Sequence, residues 1–196
     1  MKGAVKFVWG LAALVVLGSA AFWLGARLSS RTAVAGTELK NPVKVSGYDL
    51  VDTAGRPVDL AADFRGSVTL VFFGYTRCPD VCPLTMARLA RAYELAGAPP
   101  DLDVVMVTVD PGFDTPAVLA EYLGRYNPAF VGLSGSNSQV AAAARAFFVG
   151  YSGAGSSVAH TDVVAVVDRQ GFLRYIYGQD AVVQLGEDLP ALLRTL

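Results

Sequence analysis

Two regimes of apolar patterning divide the chain. After Lys2 and Lys6, residues 7–26 form an uncharged run of twenty residues rich in Val, Leu, Ala and Trp, about what a helix needs to cross a bilayer core. The pattern predicts a transmembrane anchor over 7–26 behind a cytoplasmic stub, 1–6. A cleaved signal peptide is the alternative, resting on Gly18-Ser19-Ala20, but the run continues through Phe22-Trp23-Leu24, beyond an ordinary h-region. Residues 27–44 hold Ser29-Ser30, Gly36 and Pro42 without apolar periodicity and read as a linker.

From Val45 onward the pattern is that of one domain, 45–196. Leu50-Val51-Asp52 and Val58-Asp59-Leu60, about the turn Thr53-Ala54-Gly55-Arg56, predict a small exposed hairpin beginning near Tyr48. Val68–Phe73 is a near-continuous β-prone run of the kind buried on both faces of a sheet. Met86, Leu89, Ala90 and Tyr93 then fall at i, i+3, i+4 and i+7, predicting a helix that opens around Cys78–Pro83 and ends at Gly97 before Pro99 and Pro100. A second buried strand spans Val104–Val109. Thr115 as N-cap and Pro116 at N1 start a second helix carrying Leu119, Tyr122, Leu123 and Tyr126. Phe130–Leu133 reads as a third strand, and Val140, Ala143, Ala144 and Phe147 mark a third helix. Strands Val163–Val167 and Phe172–Tyr177 flank the turn Asp168-Arg169-Gln170-Gly171, and a last helix covers Val182 to Leu193. This order, hairpin, βαβαβα, hairpin, α, predicts an α/β fold with a mostly parallel but mixed sheet flanked by helices.

Composition narrows the chemistry. The 196 residues include 53% hydrophobic and 17% charged residues, with 16 basic against 17 acidic. Four of the basic ones, Lys2, Lys6, Arg27 and Arg31, precede residue 32 and none of the acids does, leaving twelve against 17 and a net −5 for the remainder. That balance argues against nucleic acid as a partner, since phosphate neutralisation needs a basic face. Two cysteines and one histidine exclude a disulfide-rich scaffold, a four-cysteine zinc site and any multi-histidine metal centre. The lysines at the N-terminus place the domain on the exported side.

The informative segment is Gly74-Tyr75-Thr76-Arg77-Cys78-Pro79-Asp80-Val81-Cys82-Pro83, at a strand-to-helix junction where open α/β sheets bind ligands. Cys78 and Cys82, four apart, would share one helix face about 6 Å apart at Cα, within reach of a disulfide or of one shared metal ion. A helix N-terminus favours the thiolate, as would the cation at Arg77. A purely structural disulfide is the plainer reading, although a loop so short stabilises little. His160 lies in a small polar loop before the Val163 strand. On its own it reads as a surface or core residue, but in a sheet of this order that loop approaches the first helix's N-terminus. Two thiolates and an imidazole suit Cu(I), and a further oxygen ligand would admit Cu(II). Met86 reads as core rather than as a soft ligand. Asp80 is placed to accept from backbone amides, to repel incoming anions or only to offset the helix dipole, and Asp110 and Asp114 are candidates for the mouth of the same site.

These residues resemble the Sco (SenC) family, membrane-tethered thioredoxin-like copper proteins of cytochrome c oxidase assembly. The resemblance runs from about Pro42 to Gly178 and rests on Phe64-Arg65-Gly66, Phe73-Gly74-Tyr75-Thr76, the Cys78–Pro83 segment, Val109-Asp110-Pro111, Asp114-Thr115-Pro116 and the late His160. It implies a thioredoxin-like sheet in which Cys78, Cys82 and His160 bind copper, Cu(I) or Cu(II). It further implies delivery to the copper A-bearing subunit of the oxidase, supply by an exported copper donor, and redox cycling of the Cys78/Cys82 pair. The expected place is a bacterial cell membrane with the domain on the periplasmic side, and the expected role is that of a metal carrier rather than an enzyme. The sequence departs from the family pattern in three places: Ala159 where an Asp commonly precedes the histidine, Gly112-Phe113 where a charged pair is usual, and Arg77 where a His is common. The rival readings are a metal-independent thiol-disulfide oxidoreductase, a thiol peroxidase and a stapled binding domain. The peroxidase lacks its expected Pro-x-x-x-Thr spacing ahead of Cys78. The oxidoreductase would use C-x-x-C and a proline where His160 stands.

Overall fold

A computed structural model describes residues 34–45, 49–153 and 158–196. The expected stub, the anchor over 7–26, linker residues 27–33, Tyr48 and Ser156-Ser157 lie outside the described residues. In chain order the elements are β1 (Thr37–Lys44), β2 (Leu50–Asp52), β3 (Pro57–Val58), β4 (Val68–Gly74), α1 (Val81–Leu95), β5 (Leu102–Thr108), α2 (Pro116–Gly124), β6 (Val131–Ser134), α3 (Asn137–Ala146), β7 (Tyr151–Ser152), β8 (Ala159–His160), β9 (Val163–Val167), β10 (Phe172–Gly178), a 3₁₀ turn (Val182–Gln184) and α4 (Leu185–Thr195). Among the described residues, no helix is long and apolar enough to cross a membrane.

Eight strands form one sheet in the order β1-β10-β9-β4-β5-β6-β2-β3. β4, β5 and β6 are parallel, and every other pairing is antiparallel. The mixed sheet expected from the element order is therefore present, with β4 near its middle and buried along its whole length. Register assigns the faces. Phe72, Met106 and Gly132 lie in one row across β4, β5 and β6, and successive residues of a strand point to opposite faces. Gly132 is pressed by Leu119 and Leu123 of α2, where a Cβ would come within 2.8 Å of Leu123. Phe73, of opposite parity, stacks on Phe147 at the end of α3 with ring centroids 5.4 Å apart. The Phe72 row thus faces α2 and the neighbouring row faces α3.

Local signals act where the sequence placed them. The Thr115 hydroxyl accepts from the Val118 amide with Pro116 at N1, and α1 ends in a left-handed Gly97. α3 carries a full capping box between Ser136 and Gln139. The predicted hairpin exists as β2–β3, although it joins the main sheet through β6 instead of standing free.

Three differences have clear physical causes. Thr37–Lys44, within the expected 27–44 linker, is an edge strand on β10. Its apolar positions Leu39 and Val43 sit four apart across a register shift that contains Pro42, so no period-2 pattern shows, and an edge at a bulge is where a strand tolerates proline. The sheet accordingly begins with Thr37, ahead of Val45. The chain just before this strand is tied to the body: the Ala35 amide and the Tyr177 hydroxyl both donate to Asp188 Oδ2 at 2.8 Å. Second, α1 begins at Val81 and not at Cys78, because Pro79 disfavours helical backbone at the residue before it. Third, the segment ahead of β9 contains a short antiparallel pair, β7–β8, closed at its base by the Thr161 amide donating to the Gly150 carbonyl at 2.8 Å.

Candidate metal centre

The C-terminal end of β4 is where the chemistry collects. Gly74 closes the strand on the α1 face, and a Cβ there would lie 2.6 Å from the Phe72 ring and 3.2 Å from Cys82 Sγ. A side chain here would collide with the Phe72 ring and crowd the sulfur, so glycine leaves room for both. Cys82 occupies the first turn of α1 and is fully buried, while Cys78 stands in the loop ahead of the helix and keeps a sliver of exposure. The Cys82 amide donates to Cys78 Sγ at 3.4 Å. Asp80, the N-cap residue, makes no side-chain cap, so the expectation that its carboxylate accepts from helix amides is not met. Cys78 sulfur takes that place.

The two thiols therefore differ. Burial raises the Cys78 pKa, but the amides of Asp80 and Cys82, the Cys82 thiol and the Tyr75 hydroxyl outweigh it, and the net result lies below the ordinary thiol value. Burial pushes Cys82 strongly upward, and the neighbouring Cys78 sulfur and Asp162 carboxylate add to this. Both cysteines are free thiols.

His160 arrives from β8. Its Nε2 lies 3.3 Å from Cys82 Sγ, and its Nδ1 lies 3.3 Å from the Thr161 carbonyl. A carbonyl can only accept, which assigns the ring proton to Nδ1 and turns the Nε2 lone pair toward the sulfurs. The edges of Phe72 and Tyr75 flank the ring, with centroids 6.1 and 6.0 Å away. The three donor atoms of Cys78, Cys82 and His160 all lie within 4.8 Å of one another. Two sulfurs and one imidazole nitrogen converging this closely fit a soft, three-coordinate ion such as Cu(I).

The other candidates sort differently. Met86 is buried in the core, as expected. Asp114 does not line the mouth: it is fully buried and accepts from the Thr76 amide at 3.0 Å, the Thr76 hydroxyl at 2.5 Å and the Thr108 hydroxyl at 2.6 Å. It holds the loop that leads to Cys78 against the end of β5. Asp110 pairs with Arg77 at 2.5 Å, and the Arg77 guanidinium lies 3.9 Å over the Phe113 ring. Arg77 is thus committed to Asp110 and Phe113, and the Cys78 thiolate is favoured by amide groups rather than by the expected cation. The sequence marked Gly74 and Tyr75 as part of the segment without a role for either, and it did not single out the pair Thr85 and Asp162. Thr85 lies one turn beyond Cys82, and Asp162 is an acid two residues past the only histidine. Those spacings were the available signal.

The SCO1/SenC family profile matches residues 36–193. The chain belongs to the SCO1/SenC family. The mouse (Mus musculus) mitochondrial SCO2 homolog is 36% identical over 141 residues, which cover 67% of this chain and 55% of that protein; the chain spans little more than half of that relative's length. The solution structure of apo Sco1 from Thermus thermophilus is 39% identical with a TM-score of 0.73, covering 84% of this chain and all of that one. Arabidopsis thaliana ScoI, solved with copper bound, is 27% identical with a TM-score of 0.69, over 80% of this chain and 98% of the other. The architecture is accordingly the thioredoxin-like mixed α/β fold of Sco proteins, central sheet and flanking helices included.

Proposed function

We propose that this SCO1/SenC protein carries a single copper ion between Cys78, Cys82 and His160 and passes it by ligand exchange to the copper A-bearing subunit of cytochrome c oxidase. The observation that carries the reading is the convergence of three soft or borderline donors within 4.8 Å at the end of β4. Copper bound to the similar Arabidopsis ScoI supports it. The asymmetry of the site suits transfer. Cys82, fully buried, is the anchor, and Cys78 and His160, nearer to solvent, are the donors an incoming sulfur would displace first. In this reading residues 7–26 tether the domain on the periplasmic side of a bacterial membrane, and an exported donor loads it with Cu(I) or Cu(II).

A second reading draws on the same asymmetry. With its lowered pKa, Cys78 is suited to attack a disulfide of the partner, forming a mixed disulfide and releasing one partner thiolate. Cys82, on losing its proton, would then displace the second partner thiol. That sequence leaves a Cys78–Cys82 disulfide and a reduced partner, so that two electrons pass from this chain to the partner.

Copper titration of the reduced full-length chain separates the two. One equivalent bound, with a thiolate-to-Cu(II) charge-transfer band that disappears in His160→Ala and in either Cys→Ser variant, is the expected result. A folded, reduced chain that takes up no stoichiometric copper would remove the carrier reading and leave the dithiol couple as the activity.

A further inference from the structure

The segment carrying His160 touches α1 at a second point. Thr85 lies three residues beyond Cys82, on the same face of the helix. Its hydroxyl, nearly inaccessible to solvent, donates to Asp162 Oδ1 at 3.2 Å. Asp162 lies two residues beyond His160, where an extended chain returns its side chains to the same side. The result is a two-rung ladder between segment and helix: His160 against Cys82, and Asp162 against Thr85. The second carboxylate oxygen, Oδ2, is buried, with the Gln179 side chain within reach of the same carboxylate. His160, Arg88 and Gln179 are the other polar side chains around this carboxylate.

We propose that Asp162 and Thr85 form a positioning clamp that fixes the His160 imidazole over the cysteine pair. Besides this rung, among the described residues the imidazole is placed by its contact with Cys82 Sγ, by the rings of Phe72 and Tyr75, by its contact with the Thr161 carbonyl and by a strand pairing of two residues. Ring-edge contacts are weakly directional. A hydrogen bond from a buried hydroxyl to a carboxylate sets both distance and register, and outer groups that orient a ligand commonly alter metal affinity ten- to hundredfold. The role in copper binding rests on the carrier reading, whereas the clamp itself is a property of the metal-free protein.

The test uses the full-length, reduced chain and two readouts. One is the set of ring-to-ring NMR contacts between His160 and the rings of Phe72 and Tyr75, recorded without metal. The other is the affinity for Cu(II) added alone. Thr85→Val and Asp162→Ala are expected to weaken the ring contacts and lower Cu(II) affinity about tenfold. Thr85→Ser, which keeps the hydroxyl, and Asp162→Asn, which keeps an acceptor oxygen, should stay close to the parent in both. If Asp162→Ala does not fold, Thr85→Val, nearly equal in volume, carries the test. Parent-like contacts and affinity in Thr85→Val would overturn the clamp. So would an Asp162→Asn chain that loses affinity as far as Asp162→Ala while its ring contacts persist, since charge rather than position would then be at work. If the parent itself binds no copper, the carrier reading fails and the ring contacts alone decide the clamp.

Discussion

Replacing Asp114 with alanine should destabilise the domain and loosen the metal loop together. The carboxylate is fully buried and accepts three hydrogen bonds, from the Thr76 amide, the Thr76 hydroxyl and the Thr108 hydroxyl. Bonds to a charged acceptor are worth about 1.5–3 kcal/mol each. Both hydroxyls can rotate toward other acceptors in the variant, whereas the Thr76 amide is fixed by the backbone, so the full sum is not lost. A loss of about 4 kcal/mol is expected, a large share of the roughly 5–15 kcal/mol that holds a domain together. With a urea dependence of about 1–3 kcal/mol per molar, the unfolding midpoint of the full-length chain, followed by far-ultraviolet circular dichroism, should fall by about 2 M. Asp114→Asn should recover roughly half of the loss, because its amide oxygen can still accept from the Thr76 amide and the Thr108 hydroxyl. A midpoint shift below about 0.3 M in Asp114→Ala would refute the reasoning, since the carboxylate would then not be holding the loop.

Alkylation by iodoacetamide should modify Cys78 first. Its rate should rise with pH to a midpoint below that of an unstructured cysteine, because the thiolate reacts and the folded site depresses this pKa; Cys82, buried and shifted upward, should stay unmodified over the same range, and modification of Cys82 ahead of Cys78 in mass spectra would contradict the assignment. Arg77→Gln should leave that Cys78 rate within about twofold, because the guanidinium is committed to Asp110 and Phe113; a tenfold drop would restore the cation to the thiolate's environment. Gly74→Ala should cost about 1–3 kcal/mol by overpacking and should displace Cys82 Sγ, read as a lower unfolding midpoint and weaker copper uptake together. Uptake equal to the parent's would show that the sulfur is not confined by this glycine.

Much of this molecule was legible because its strongest signals are local. The continuous apolar run at Val68–Phe73, the Thr115-Pro116 start and the Gly97 stop each state their own structure, and β4, α2 and the end of α1 follow them. What stayed hidden depends on partners remote in sequence. β1 reads as linker because a bulge breaks its alternation and because its pairing with β10 lies more than a hundred residues away. Cys78 and Cys82 were visible as candidates through their spacing at a strand-to-helix junction, and His160 through the place of its loop in the element order and the family resemblance; the structure brings their donor atoms together. Their setting was not visible: the room left by Gly74, the engagement of Arg77 by Asp110 and Phe113, and the Thr85–Asp162 contact all follow from packing across the sheet.

The place of β9 in the sheet carries a consequence for biosynthesis. β4 receives its second neighbour only when β9 pairs with it, and His160 precedes β9 by three residues. A chain still emerging from the machinery that makes it has both sulfurs early but no nitrogen donor. Until then the cysteine pair stands without the imidazole that completes the set of three donors. The pairing of β9 with β4 brings the imidazole toward the cysteines as it closes the centre of the sheet, so the three donors converge only in the completed sheet.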